Sequence, residues 1–180
     1  MKIKKSIILF FPLLTVLITS CNTKSIDPAE YYAEWKAQNE SYFVNMKDSV
    51  GYVLYTIPAN QGGSSYYYKI TSPGDQNSGS PKLTDNVKVN YRGKIINGSI
   101  FDQTYKGVGI PVDSTATPRT FLLNGLIPGW QVNLLQMKAG EKRTIILPQE
   151  LGYGTYGGGA IPPYSTLVFD IQLISFTPGN

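Results

Sequence analysis

From residue 153 to residue 170 the chain reads YGTYGGGAIPPYSTLVFD, and these residues narrow the fold more than any others. Residues 153–159 are glycine-rich and carry Tyr153 and Tyr156. Ile161-Pro162-Pro163 is stiff, because each proline fixes its own φ and pushes the preceding residue toward extended backbone. Residues 165–174 then read as a strand, with Leu167, Phe169, Ile171 and Leu173 sharing one face by period two. A glycine-rich aromatic loop, a rigid hinge and a buried strand can together hold an aromatic wall over an apolar pocket. Taken alone, the same residues also suit a plain β-hairpin arm with a mobile tip.

The chain before this stretch supplies partner strands. Residues 51–57 and 66–71 are strand candidates. Val87, Val89 and Tyr91 alternate with Lys88, Asn90 and Arg92, which sets Tyr91 on the inward face. Asn97-Gly98 is a hairpin-turn dipeptide leading into a strand at 99–104. Residues 105–118 form a long loop, and 120–123 are extended again. Ile127-Pro128-Gly129-Trp130 enters a short helix with Trp130, Leu134 and Met137 on one face, and Lys138 and Gly140 mark its end. A strand at 142–147 leads back to residue 153. Thirteen tyrosines, 18 glycines and 12 prolines suit a turn-rich, mostly β chain. The architecture expected is α+β, an antiparallel sheet with one short helix across a face.

The N-terminus has a different character. Residues 1–21 read as an export signal: a basic MKIKK, then an apolar run of about a dozen residues, short for a bilayer that needs ~20. The run ends in Leu17-Ile18-Thr19-Ser20-Cys21, which resembles a bacterial lipobox. That pattern implies diacylglycerol on Cys21, cleavage before it and acylation of the new N-terminus. Asn22 lacks the aspartate of the usual inner-membrane retention signal, so the outer membrane is the expected destination. A polar tether at 22–26 precedes a helix signalled by Asp27 as N-cap, Pro28 in the first turn and Glu30 completing a capping box. Its stripe of Tyr32, Trp35, Asn39, Tyr42 and Met46 suits packing on the chain's own domain, and suits dimerisation or client binding as well. Residues 58–65, PANQGGSS, are linker-like. The expected organisation is a signal peptide at 1–20, a lipidated tether and helical extension at 21–63, and a globular domain at 64–177.

Composition excludes several chemistries. The formal charge is +4; without Lys2, Lys4 and Lys5, 13 basic residues face 12 acidic ones, leaving +1. No basic stripe with interleaved aromatics points to nucleic acid. With no histidine and one cysteine, neither a zinc site of Cys and His nor a Ser-His-Asp triad can be assembled.

Five separated motifs then fall in register: Val89-Asn90-Tyr91-Arg92-Gly93; Asn97-Gly98 with Phe101-Asp102; Ile127-Pro128-Gly129-Trp130; Tyr153-Gly154; and Ile161-Pro162-Pro163 with Thr166-Leu167-Val168-Phe169-Asp170. In order and spacing they resemble the FKBP-type peptidyl-prolyl cis-trans isomerases, over residues 66–177. The likeness is to the branch with an N-terminal extension, such as the macrophage infectivity potentiator proteins. The resemblance implies a twisted antiparallel sheet wrapped around one short helix. It also implies isomerase activity toward X-Pro bonds, with no cofactor and no metal. Tyr91, Asp102, Tyr153 and Phe169 fall on catalytic positions of that family, and Phe101, Leu126, Ile127, Trp130 and Ile161 on substrate-binding ones. Trp130 would be the pocket floor, and the Ile127 N–H and Tyr153 hydroxyl would hold substrate carbonyls. Asp102 would either polarise the carbonyl environment or brace Tyr91. Partners implied are proline-containing polypeptides and macrolides such as FK506 or rapamycin. Two departures stand out. Arg119 occupies the place expected for a second aromatic wall, and the loop at 156–160 is shorter by about one residue than in small single-domain members. A second class of function fits the same pocket: a chaperone lipoprotein that grips proline segments with little catalysis.

Overall fold

The computed structural model describes residues 28–110 and 116–179. The export signal, Cys21, the tether, the Asp27 cap and part of the 105–118 loop lie outside the described residues.

The elements in chain order are α1 (Pro28–Asn45), β1 (Val53–Thr56), β2 (Ser65–Ser72), β3 (Asp85–Ile95), β4 (Ile100–Gln103), β5 (Arg119–Leu122), α2 (Pro128–Leu134), β6 (Lys142–Leu147) and β7 (Leu167–Pro178). The seven strands make one antiparallel sheet in the order β1-β2-β6-β7-β3-β4, with β5 also paired to β3. Its spine is the long pair β3–β7, running from Asp85 opposite Pro178 to Ile95 opposite Leu167 with one register shift between Lys88 and Val89. The α+β architecture expected from the sequence is the one found.

Period-two alternation does what it should on the inner face. Val87, Val89 and Tyr91 of β3 and Leu167, Phe169, Ile171 and Leu173 of β7 are all buried in one core with Trp130, Leu134 and Met137. Asn90, expected outside, is buried too. Its amide meets the side chains of Gln172 and Thr104, so the opposite face is also covered there. β6 is buried on both faces at its end. Ile145 and Leu147 join the main core, while Ile146 joins a second cluster with Met46 and Tyr67, against which Tyr42 and Phe43 of α1 pack. Strands covered on both faces read as unbroken apolar runs, which is why this one is spelled Thr-Ile-Ile-Leu.

Two expectations are corrected, and one of two open readings is met. Residues 58–65 are no linker: they turn the hairpin between β1 and β2, and Tyr55 pairs with Tyr66 across it. The helix expected to run to Lys138 stops at Leu134. The Glu141 carboxylate takes the Lys138 N–H at 2.8 Å and the Leu173 carbonyl takes the Gly140 N–H at 2.6 Å, so those donors are drawn out of the helical ladder. Finally, α1 lays its stripe on the chain's own domain, with Trp35, Asn39 and Met46 all buried. Of the two readings open for that stripe, intramolecular packing is realised. Among the described residues, no helix is long and apolar enough to cross a membrane.

Candidate active site

α2 enters the core behind Ile127 and Pro128, and Pro128 suits the first helical turn because no helical acceptor is available there for an N–H. The next residue but one, Trp130, is thereby fixed at the bottom of a cavity of about 340 Å³, within the size range of small-molecule sites. Tyr91 from β3, Phe101 and Asp102 from β4, Arg119 and Phe121 from β5, Gly125, Leu126 and Ile127 from the turn before α2, Tyr153 from the glycine-rich loop and Phe169 from β7 complete the wall.

The rings meet edge to face. Trp130 lies 5.1 Å from Tyr91 at 85°, 5.2 Å from Phe169 at 82° and 6.4 Å from Phe121 at 90°. Phe101 and Phe169 stand 5.5 Å apart at 89°. Such pairs place the positive edge of one ring on the negative face of another, each adding ~0.5–1.5 kcal/mol beyond area burial. The closeness of Phe101 and Phe169 explains Gly93 in the Val-Asn-Tyr-Arg-Gly motif. A Cβ there would come within 2.4 Å of Phe101 and 2.7 Å of Phe169. Only a glycine lets both walls close over β3.

The polar groups sit at one side. The Tyr91 hydroxyl donates to Asp102 Oδ2 at 2.5 Å, and Arg119 Nη1 donates to the Tyr91 oxygen at 2.8 Å and to Asp102 Oδ2 at 3.0 Å. The Gln103 N–H donates to the other Asp102 oxygen at 2.9 Å. Asp102 is thus occupied with holding Tyr91 and neutralised by a cation. Since both partners of the ion pair are about half exposed, the pair itself contributes no more than ~1 kcal/mol. Burial, reinforced by the hydrogen bond to Asp102, drives the Tyr91 pKa well above the ordinary tyrosine value. Burial and then the nearby Asp102 charge raise that of Tyr153. Both hydroxyls therefore remain protonated donors at neutral pH.

Tyr91, Phe101, Asp102, Leu126, Ile127, Trp130, Tyr153 and Phe169, all picked out on the sequence, converge on this cavity. Ile161 does not line it. It is buried in the loop itself, where it exchanges backbone hydrogen bonds with Gly158 at 2.9 Å each way, and it borders a neighbouring groove beside Tyr31 and Tyr32. Phe121 was missed on the sequence. Its ring supplies the second aromatic wall that Arg119 was expected to have displaced, and Arg119 is an addition at the rim.

The glycine-rich loop forms a small flap. Gly157 has φ +66°, and a Cβ on it would lie 2.3 Å from the Ile161 carbonyl oxygen, so the tip folds back on its own hinge only with glycine there. Tyr164 closes the hinge at φ 62°, a left-handed conformation that disfavours bulky L-residues by ~1–2 kcal/mol. Its N–H bonds the Gly154 carbonyl at 3.0 Å, next to Tyr153.

An aromatic well with a tyrosine hydroxyl and the start of a short helix at its rim is a site for a small apolar ring with polar flanks. The family model for FKBP-type peptidyl-prolyl cis-trans isomerases matches residues 77–174, and the chain belongs to that family. It is 39% identical over 116 residues to the FKBP-type 22 kDa peptidyl-prolyl cis-trans isomerase of Escherichia coli, covering 64% of this chain and 52% of that protein. It is 41% identical over 109 residues to the peptidyl-prolyl cis-trans isomerase Mip of Coxiella burnetii, covering 60% and 43%. The chain thus spans about half the length of the curated relatives it matches. Among solved structures, it is similar to FkpA from Escherichia coli with a TM-score of 0.68 at 32% identity, over 84% of this chain and 63% of that one. A Pseudomonas syringae peptidyl-prolyl cis-trans isomerase gives 0.64 at 26%, over 84% and 97%.

Proposed function

We propose that the protein is a peptidyl-prolyl cis-trans isomerase that assists the folding of exported polypeptides. The observation carrying this reading is the edge-to-face aromatic cavity floored by Trp130. X-Pro isomerisation breaks no covalent bond; it rotates a partial double bond with a barrier of ~18–20 kcal/mol. The twisted amide loses resonance, so its carbonyl is less polar than in the planar ground state. An apolar well favours that form, and catalysis is differential binding. Trp130 seats the proline ring, while Tyr91, Phe101, Phe121 and Phe169 exclude water. The Ile127 N–H, which has no acceptor among the described residues, and the Tyr153 hydroxyl hold the flanking carbonyls. Asp102 braces Tyr91. A protease-coupled proline-peptide assay on the full chain tests this. Catalysis inhibited by FK506 or rapamycin is expected. Macrolide binding with no acceleration over the spontaneous rate would instead favour the chaperone that only grips proline segments.

The placement proposed is the bacterial cell envelope, through lipid on Cys21, at the outer membrane. It rests on the lipobox resemblance and on the position of the chain's one cysteine. Cys21→Ser is expected to abolish acyl labelling, and a mutant still lipidated would sink the claim. The isomerase unit proposed is 64–177, with the extension at 21–63 contributing β1 to its sheet. A homodimer through α1 would have to use what the domain leaves exposed, Tyr31, Tyr32 and Val44.

A further inference from the structure

We infer that α1 is a working part of the isomerase pocket, with Asn39 as a positioning residue that sets the flap. Asn39 is 1% exposed on a helix otherwise largely open to solvent. Its Nδ2 donates to the Trp35 carbonyl at 2.8 Å, which orients the amide so that Oδ1 takes the Thr166 N–H at 2.7 Å. The Thr166 hydroxyl returns a bond to the Asn39 carbonyl at 3.2 Å. One helical turn earlier, Trp35 Nε1 donates to Ser165 Oγ at 3.2 Å, and Ser165 Oγ donates to the Pro162 carbonyl at 2.7 Å.

Both anchors fall on the same short segment, between the Pro162-Pro163 hinge and the start of β7. Upstream, that segment carries Tyr164, held in the left-handed region at φ 62°, a conformation that persists for such a residue only when its surroundings over-determine it. The Lys36 ammonium sits 5.4 Å from the Tyr164 ring centroid, a third contact from the same helix. Tyr164 in turn holds Gly154 beside Tyr153. Downstream, Phe169 follows Thr166 by three residues of chain. One buried patch of α1 therefore fixes a rim donor and an aromatic wall together. The family match begins at residue 77, after α1, so nothing in it assigns this role.

The test compares full-chain variants with wild type in the proline-peptide assay, run cold and with folding checked by circular dichroism. Asn39→Ala strips the buried Thr166 N–H of its acceptor. Because small misplacements far from the chemistry are amplified in rate, its kcat/KM is expected to fall about tenfold or more. Macrolide affinity should weaken in parallel. Phe43→Ala is the control. It loosens α1 at its other end, where Phe43 packs 5.1 Å from Tyr67, and should lower Tm while leaving kcat/KM within about twofold of wild type. Wild-type kcat/KM in folded Asn39→Ala, or equal activity losses in the two variants, would overturn the inference. If Asn39→Ala does not fold, Trp35→Phe decides: it removes the bond to Ser165 and some ring volume while keeping an aromatic in the core, and unchanged activity overturns the claim. The inference rests on the isomerase reading. An inactive wild type sinks that reading, whereas an active wild type with an indifferent Asn39 sinks only this one.

Discussion

Trp130→Ala is expected to abolish macrolide binding and to reduce kcat/KM by about 100-fold or more, since the substrate loses the surface that distinguishes its twisted form. The side chain is 4% exposed and touches three aromatic rings edge-on. Buried Trp→Ala changes cost ~3–5 kcal/mol, which for a chain of this size is a Tm loss on the order of 10 °C. The two effects separate by measurement. Binding and rate are read in the cold, where the variant is folded; stability is read by urea denaturation. Trp130→Phe keeps a smaller floor and should lie between wild type and alanine in both. Unchanged macrolide affinity in a folded Trp130→Ala would mean that the cavity is not the proline site.

The second large effect is on stability alone. Glu141 is 2% exposed and Arg143 5%. The Glu141 carboxylate accepts from Arg143 Nε and from the Lys138 N–H. Arg143 also donates to the Asn133 side chain at 3.2 Å and to the Gln136 carbonyl at 3.1 Å, with its guanidinium 5.0 Å from the Tyr68 ring centroid. Removing the carboxylate leaves an arginine buried among neutral groups. Glu141→Ala should therefore lose ~3–5 kcal/mol, while replacing both partners by apolar residues of similar volume should restore much of that. Glu141→Gln, which still accepts the Lys138 N–H, should fall in between. The readout is the urea midpoint at unchanged slope; a loss under ~1 kcal/mol for Glu141→Ala would show that the buried pair is not what ties α2's end to β6.

Residue pattern carried the sheet and most of the pocket. Alternation alone placed Val87, Val89 and Tyr91, and Leu167, Phe169, Ile171 and Leu173, on one face, because strand side chains alternate sides whatever the neighbours. The failures have physical causes. Residues 58–65 looked like a linker because a hairpin turn and a flexible linker draw on the same residues, glycine, asparagine, serine and proline; only pairing between β1 and β2 tells them apart. The true end of α2 was hidden because the groups that capture the Lys138 and Gly140 donors come from Glu141 and from β7, the latter over thirty positions away in sequence. Phe121 is hard to pick out in the sequence because Arg119, two residues earlier on the same face of β5, suits the wall position equally well by spacing. The ionic cluster that Arg119 forms with Tyr91 and Asp102 is a three-strand juxtaposition that spacing does not encode. Asn39 did show as a polar break in an apolar stripe, and the buried Thr166 N–H that it meets is the reason for that break.

The margins of the sheet have a consequence of their own. One border is β1, of four residues. At the other, the outer side of β3 is covered by β5 along Asn86–Val89 and by β4 along Arg92–Lys94, two more four-residue strands. Long unpaired strand edges recruit extended polypeptide into intermolecular ladders, and short ones do not. The clients proposed above, exported polypeptides still folding, would bring extended segments to these margins. With its borders divided in this way, the sheet offers such segments little backbone on which to nucleate an aggregate.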